Sequence, residues 1–343
     1  MQTPQELTAA RSPPWLPPGR SRRGFPSLRI VHRILVTGAA TWVGGTLVQH
    51  LEQRSGVQVF AVDDIAPRVE FESEFARLGL DRLDFAHHLL DVEPQTVVHL
   101  QTVDRSAELG TAQAHEEAVV GGLALFGAIG RCAATRHVVV KSDSAIYGGS
   151  PRNPSVLGED AEPRGSRNHY QRDLAEMESF VRQTAQAHER VEYTVLRLAP
   201  IFGARVGNPI SRYLTLPSVP TLLGFDPRVQ FIHEDDAVRA FLHAIDRGVP
   251  GTFNVAAPGL LYLSRVLRLG LRIPQPLPGR FFDSALRGLA RVDLRLPEHT
   301  VALLKHGRVM DTRLMTTVLG FAPRLTCRQT VLSAYGRLGE VAA

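Results

Sequence analysis

One stretch constrains this chain more than any other: the apolar run Ile34-Leu35-Val36, followed by Thr37-Gly38-Ala39-Ala40-Thr41-Trp42-Val43-Gly44-Gly45. It reads as a buried strand, a tight turn and the first turn of a helix. Such a turn brings bare backbone N–H groups at a helix N-terminus against a ligand, where unpaired donors and the helix dipole both favour negative charge. The ligand implied is a dinucleotide, its pyrophosphate cradled by Gly38, Thr41, Trp42, Val43 and Gly44. In a TGxxGxxG reading, Gly38 and Gly44 hold the outer positions and Thr41 replaces the middle glycine.

The following residues support the turn. Thr46 to Gln53 has helical apolar spacing, and Val57-Gln58-Val59-Phe60-Ala61-Val62 reads as a second strand ending at Asp63. An acid at that distance from the turn accepts hydrogen bonds from an adenosine ribose and repels a 2′-phosphate, so NAD is expected over NADP. Asp64 is read as a solvated turn residue. Further on, Thr96 to Leu100, His137 to Lys141 and Tyr193 to Leu198 read as strands, and Glu116 to Cys132 and Asn168 to Gln186 as helices. The alternation predicts an α/β fold, a Rossmann-type doubly wound parallel sheet covered on both faces. Past Gly203 the chain turns proline-rich and is expected to be irregular, forming a smaller C-terminal substrate-binding domain. The division expected is a Pro/Arg-rich tail over residues 1–30, an NAD-binding domain over 31–203 with a returning segment near 230–257, and a mainly substrate-binding part over 204–343. Ser211 to Asp226 and Pro258 to Arg291 are expected to line the substrate cleft.

Composition excludes several classes. With 44% hydrophobic and 21% charged residues in 343, the chain has the make-up of a soluble enzyme. Charge or proline interrupts every apolar run before bilayer-spanning length, so no membrane association is expected. The formal charge of +5 is carried by arginines spread along the chain, which argues against a nucleic-acid partner. Cys132 and Cys327 form no CxxC, fitting a reducing cytosol and a cytoplasmic protein, and the scattered histidines predict no metal site. Met1 to Arg29 carries prolines and arginines but no apolar core of a secretion signal, and reads as a disordered tail or a misplaced start codon.

Seven segments in order resemble an extended short-chain dehydrogenase/reductase of the NAD-dependent epimerase/dehydratase family, within it a UDP-glucose 4-epimerase-like subgroup of high-GC bacteria. They are the Thr37-Gly38 turn, Val97-Val98-His99-Leu100, Ser142-Asp143-Ser144-Ala145-Ile146-Tyr147-Gly148, Leu196 to Gly203, Phe231 to Ala237, Gly251 to Val255, and Asp311-Thr312 through Pro323. The resemblance implies NAD as cofactor and a small hydroxylated substrate such as a nucleotide-sugar, with a homodimer as a further expectation. It also implies a tyrosine that takes a substrate proton, a lysine four residues later that makes the tyrosine acidic, and a Ser or Thr at the preceding strand end. Tyr170 holds the tyrosine position, Leu174 the lysine position and Asp143 the Ser/Thr position, flanked by Ser142 and Ser144. Tyr170, Asp143 and Ser144 are therefore the catalytic candidates. Leu100, Lys141 and Pro200 are expected on the cofactor side, Pro200 against the nicotinamide ring.

These departures leave roles open. Asp143 either caps the turn before Tyr147 or faces the substrate. Lys141 lies on the same strand face as Asp143, and is read first as its structural ion-pair partner and second as a relocated charge replacing the helix lysine. His233, Asp235 and Asp236 read as hinge and capping groups, and Arg197 as a sheet-end anchor. Three functions follow: an active epimerase, dehydratase or reductase using Tyr170, a protein that binds NAD or a sugar nucleotide without turning it over, or a structural subunit paired with an active homologue. The tail carries too little apolar content to offset its ordering entropy. Deleting Met1 to Gly24 is therefore expected to leave melting temperature and NAD affinity within error, and a large fall in melting temperature would show that the tail packs on the body.

Overall fold

Strand alternation sets the architecture, and the computed structural model, which describes residues 31–101, 111–162 and 168–341, shows how. In β1 (His32–Thr37) Leu35 points into one apolar layer while Ile34 and Val36 point into the other, so both faces of the strand are buried. The same holds along β2 (Val57–Asp63), β4 (Thr96–His99), β5 (His137–Asp143) and β6 (Glu192–Leu198). With β3 (Glu74–Arg77) and β11 (Gly251–Val255) they form a seven-stranded parallel sheet in the order β11-β6-β5-β4-β1-β2-β3. Strand order reverses between β1 and β4, which opens a ligand crevice at their carboxyl ends.

Helices cover the sheet. α1 (Trp42–Glu52) and α6 (Glu234–Arg247) pack on one face; α2 (Leu83–Val92), α3 (Thr111–Arg131) and α4 (His169–Ala187) pack on the other. Asn168 caps α4 by accepting from Gln171 N (3.0 Å), and the Gln171 side chain returns the bond to Asn168 N. α1 begins at Trp42, capped by Thr41, within the stretch read as the first turn of a helix, and β3 and α2 were not anticipated at all.

The region after Gly203 is regular, which corrects the expectation of an irregular part. It holds α5 (Pro209–Leu214), α7 (Leu263–Leu269), α8 (Gly279–Gly288), α9 (Glu298–His306) and α10 (Cys327–Ala334). Short strands in it and just before it pair two by two: β7 (Ile201–Phe202) with β10 (Ile232–His233), β8 (Ser218–Leu222) with β13 (Ile273–Leu277), and β9 (Arg228–Val229) with β12 (Leu261–Tyr262). These elements share a third apolar core built around Tyr213, Phe231 and Phe282. Proline marks strand edges and helix starts here, not disorder: Pro209 opens α5, and Pro274 and Pro276 lie in a two-stranded sheet where missing N–H groups cost little. Val31–Ala343 forms one compact unit, and the expected tail lies outside the described residues.

A buried polar network joins the sheet to α4. Arg197 on β6 donates from Nε and Nη2 to the two carboxylate oxygens of Glu178 (2.9 and 2.6 Å), and Ser142 on β5 donates to the same carboxylate (2.7 Å). Arg197 Nη1 also reaches Tyr147 Oη (2.8 Å), which donates to Asn254 Oδ1 on β11 (2.6 Å). Arg197 is thus the sheet anchor that the sequence suggested.

Two sheet histidines are held neutral. Thr194 donates its hydroxyl hydrogen to Val249 O (2.6 Å), so His137 Nε2 must be the donor to Thr194 Oγ1 (2.9 Å). Burial, then the nearby His32, pushes His137 down to about 4, and burial, then Lys141, pushes His99 down to about 3. Below pH 6.5 the unfolded chain binds protons at these positions and the folded chain does not. Stability is therefore expected to fall as pH drops from 6.5 toward 4, each histidine contributing up to about 1.4 kcal/mol per pH unit. Urea titrations at neutral pH and near pH 5 test this, and a smaller loss in His137→Asn would assign its share.

Candidate active site

The turn after β1 is shaped by two glycines and one threonine. Gly38 has φ 76°, and a Cβ there would stand 2.7 Å from Gln101 N. A Cβ on Gly44 would strike Gly38 O. Thr41 has φ −69° and ψ 159°, which any L-residue adopts, so the middle position needs no glycine. Its hydroxyl donates to Gly38 O (3.0 Å) and accepts from Gly44 N (3.0 Å), capping α1. Gly45 N bonds Thr41 O, so the N–H groups of Trp42 and Val43 are left for an anion.

Asp63 ends β2 beside this turn and is buried. Its Oδ2 accepts from Ala40 N (2.8 Å) and its Oδ1 from Asp64 N (2.9 Å), so it braces the turn as well as bordering the cavity. Burial and the adjacent Asp64 carboxyl push Asp63 up to about 6. Asp64 is not a solvated turn residue: it is half-buried, accepts from Gln101 Nε2 (3.5 Å) and lines the cavity. A strap closes the opposite side. Arg205 stacks over the Trp42 ring at 4.7 Å and donates to Glu234 Oε1 (2.6 Å) and Asp235 Oδ1 (2.5 Å), while buried Glu234 also accepts from the backbone of Arg205 and Val206.

A cavity of about 430 Å³ runs from this turn along the carboxyl ends of β4 and β5 to α9. Its wall includes every candidate cofactor residue, Gly38, Thr41, Trp42, Val43, Asp63, Leu100, Lys141 and Pro200, except Gly44, which lies within the turn. Tyr170 and Asp143 are on the same wall. Ser144 is not: it is buried, and donates to Asp143 Oδ1 (3.4 Å). Of the two roles left open for it, Asp143 fills the cap of the 3-10 turn Ser144–Tyr147 by accepting from Ala145 N (2.6 Å), and it also borders the cavity.

Lys141 lines the wall with Asp143; burial lowers the lysine's pKa and the Asp143 charge partly opposes this. Leu174 is sealed in the core at 2% exposure, one turn of α4 beyond Tyr170, so that position holds no cation. His233 and Asp236 are structural, as expected. His233 Nδ1 accepts from Asp235 N (3.2 Å) at the start of α6, and Asp236 accepts from Arg324 N and Leu325 N (both 3.0 Å).

Two residues that the sequence did not single out complete the site. The His299 ring on α9 lies 4.6 Å from the Tyr170 ring. Arg308 follows α9, is 6% exposed and reaches the wall beside Tyr170 and Asp143. Of the stretches expected at the cleft, Ser211 to Asp226 supplies Arg212, but nothing from Pro258 to Arg291 lines the cavity; residues 206–210 and 297–308 take its place. The one local signal was Gly307, which has φ 72° and seats Arg308 so that its N–H bonds Arg228 O (2.9 Å).

The family follows from comparison with known proteins. The pattern of the NAD dependent epimerase/dehydratase family matches residues 34–256, which span β1 to the end of β11. This chain belongs to that family. It is 37% identical over 303 residues to the uncharacterized protein Rv0501 of Mycobacterium tuberculosis, covering 85% of this chain and 80% of the relative. Its fold is similar to a UDP-glucose 4-epimerase from Thermotoga maritima solved with UDP-glucose, with a TM-score of 0.69 and 17% identity over 91% of this chain and 100% of the other. A UDP-glucuronic acid 4-epimerase from Bacillus cereus, in complex with UDP-glucuronic acid and NAD, gives a TM-score of 0.69 at 16% identity over 90% and 99%. At these identities the structural likeness speaks for the fold.

The residues present fit a dinucleotide. Gly38 leaves a cradle that a Cβ would close, the Trp42 and Val43 N–H groups face outward, and buried Gln101 Oε1 has no hydrogen-bond partner among the described residues. Among those residues no helix is long and apolar enough to cross a membrane, and no group of three His, Cys, Asp or Glu could hold a metal. NAD is expected to bind more tightly than NADP at neutral pH, and Asp63→Ala to weaken NAD by about 1–3 kcal/mol. Below about pH 6 the protonated Asp63 carboxyl no longer repels a 2′-phosphate, so the preference is expected to narrow. Calorimetry with both cofactors at pH 7.5 and 5.5, taken as about 1.5 units above and 0.5 below that value, checks this; a preference for NADP at the higher pH would overturn it.

Proposed function

We propose that the protein is an NAD-dependent epimerase or dehydratase acting on a nucleotide-sugar or similar hydroxylated small molecule, with Tyr170 as the proton-transfer group. The observation that carries this is the shared wall: Tyr170 and Asp143 border the same cavity as the Gly38 turn and Asp63. Bound there, NAD supplies a site that takes a hydride from a hydroxyl-bearing carbon and can return it. Trp42 and Val43 hold the pyrophosphate through backbone N–H groups, Asp63 holds the adenosine ribose, and Pro200 and Leu100 exclude water around the nicotinamide end. The Tyr170 phenolate takes the substrate hydroxyl proton and later gives it back. Asp143, acceptor-only when ionised, orients that hydroxyl. Arg212 on the cavity wall offers charge to a substrate diphosphate. Val120 and Leu123, exposed on α3, are the apolar residues a second copy would cover in a homodimer.

One observation favours a second reading, a protein that binds NAD or a sugar nucleotide without turnover. Leu174 puts a buried aliphatic side chain where the family uses a lysine. The two separate on product analysis with UDP-hexoses and on the absorbance of reduced nicotinamide. Turnover is expected to fall by about 10² to 10⁴ in Tyr170→Phe. Tight NAD binding with neither product nor reduction, together with epimerase or dehydratase activity gained by Leu174→Lys with Asp143→Ser, would favour the second reading. Brisk turnover that tolerates Tyr170→Phe would overturn the role given to Tyr170.

A further inference from the structure

We propose that Arg308 is the cation that stabilises the Tyr170 phenolate, from across the cavity, in place of the helix lysine this chain lacks. The proposal rests on the reading of Tyr170 as the proton-transfer group and concerns how that group becomes acidic.

Arg308 is a charged side chain that burial should penalise and pairing does not rescue. It is 6% exposed, yet its hydrogen bonds are long and run only to neutral oxygens: to Ser144 Oγ at 3.4 Å and to Gly148 O at 3.3 and 3.4 Å. No carboxylate among the described residues lies within ion-pair distance of it. The other buried arginine, Arg197, is instead held by both oxygens of Glu178. An unpaired buried charge is costly, so such a group persists where the site uses its field.

The position of Arg308 is built, not incidental. Gly307 has φ 72° and a Cβ there would stand 2.6 Å from Arg228 O, so the position requires glycine, and Arg308 N bonds that same oxygen at 2.9 Å. Two residues on, Met310 N bonds Gln230 Oε1 at 3.0 Å, and Met310 bridges Leu157. The backbone is thus fixed on both sides of the guanidinium.

What the charge acts on follows from its neighbours. Burial lowers the pKa of Arg308, and the two groups that offset this are Asp143 first and Tyr170 second. The effect is reciprocal: an ionised phenol that helps keep a guanidinium charged is itself favoured by that guanidinium. Among the described residues, Lys141 and Asp143 from β5 share the cavity wall with Tyr170, the His299 ring from α9 lies 4.6 Å from the Tyr170 ring, and the His115–Asp173 pair (2.6 Å) joins α3 to α4. Asp143 opposes the phenolate and Lys141 supports it. When Tyr170 ionises, its O–H proton leaves to solvent and the negative charge stays on Oη, at the cavity whose wall Arg308 shares. In this arrangement Arg308 is a positioning residue that acts through Tyr170.

The test is an ultraviolet difference titration of the full chain against Tyr170→Phe, which isolates Tyr170 from the other tyrosines. Tyr170 is expected to ionise below the ordinary tyrosine value of about 10, and Arg308→Met to raise its midpoint by about one pH unit or more, a tenfold loss of phenolate at fixed pH. Arg308→Lys is expected to keep most of the effect. An unchanged Tyr170 titration in Arg308→Met, with only KM for a UDP-hexose raised, would overturn the proposal and leave Arg308 as a substrate anchor. Should Arg308→Met not fold, the reciprocal signal in the unmutated protein decides: the Arg308 Nε resonance should shift as Tyr170 titrates and lose that shift in Tyr170→Phe, and its absence overturns the proposal equally. Arg308-dependent ionisation without turnover would sink the enzymatic reading alone, whereas turnover with Arg308-independent ionisation would sink this one alone.

Discussion

The site depends on a buried ion pair that never touches it. Glu178 lies on α4, two turns beyond Tyr170, and its two oxygens are held by Arg197 of β6 with a third bond from Ser142 of β5. The pair fixes α4 against the two strands whose carboxyl ends carry Asp143 and Pro200. Buried pairs of this kind gain little over an apolar core, but losing one partner costs about 3–5 kcal/mol because the other is left uncompensated. Their value here is positional. The Tyr170 ring is set by a helix that cannot slide along the sheet without breaking the pair.

Much of the fold was legible because its signals are local. The apolar run before Gly38 and the strand ending at Asp63 each announce an element through nearest-neighbour chemistry. The strands β4, β5 and β6 were readable because both of their faces are buried, which leaves an unbroken apolar run. The misses have equally physical causes. β3 has a half-exposed, charged sequence, Glu74-Phe75-Ala76-Arg77, with no alternation strong enough to mark an edge strand. The proline-rich C-terminal part reads as irregular because proline in a two-stranded sheet looks the same in sequence as proline in a loop.

The cofactor end of the site was more legible than the chemical end. Gly38, Thr41 and Asp63 sit within one β-α-β unit, so their spacing alone brings them together. Arg308 and His299 come from a segment more than a hundred residues after Tyr170, and only the tertiary fold carries them to the cavity. Comparison with a motif points only to the positions the motif names: Leu174 stands where the motif has a lysine, but nothing in its neighbourhood points to residue 308.

The strap over Trp42 has a consequence for how a ligand comes and goes. Arg205 is half-exposed, but its partner Glu234 is buried at 2% and also holds the backbone of the strap through Arg205 and Val206. Lifting the strap leaves that carboxylate without its cation and without two N–H donors at once, a loss far larger than that of a surface ion pair. A dinucleotide seated beneath it would be a tenant with a long lease, exchanging at the rate the strap opens and not at the rate its own contacts break.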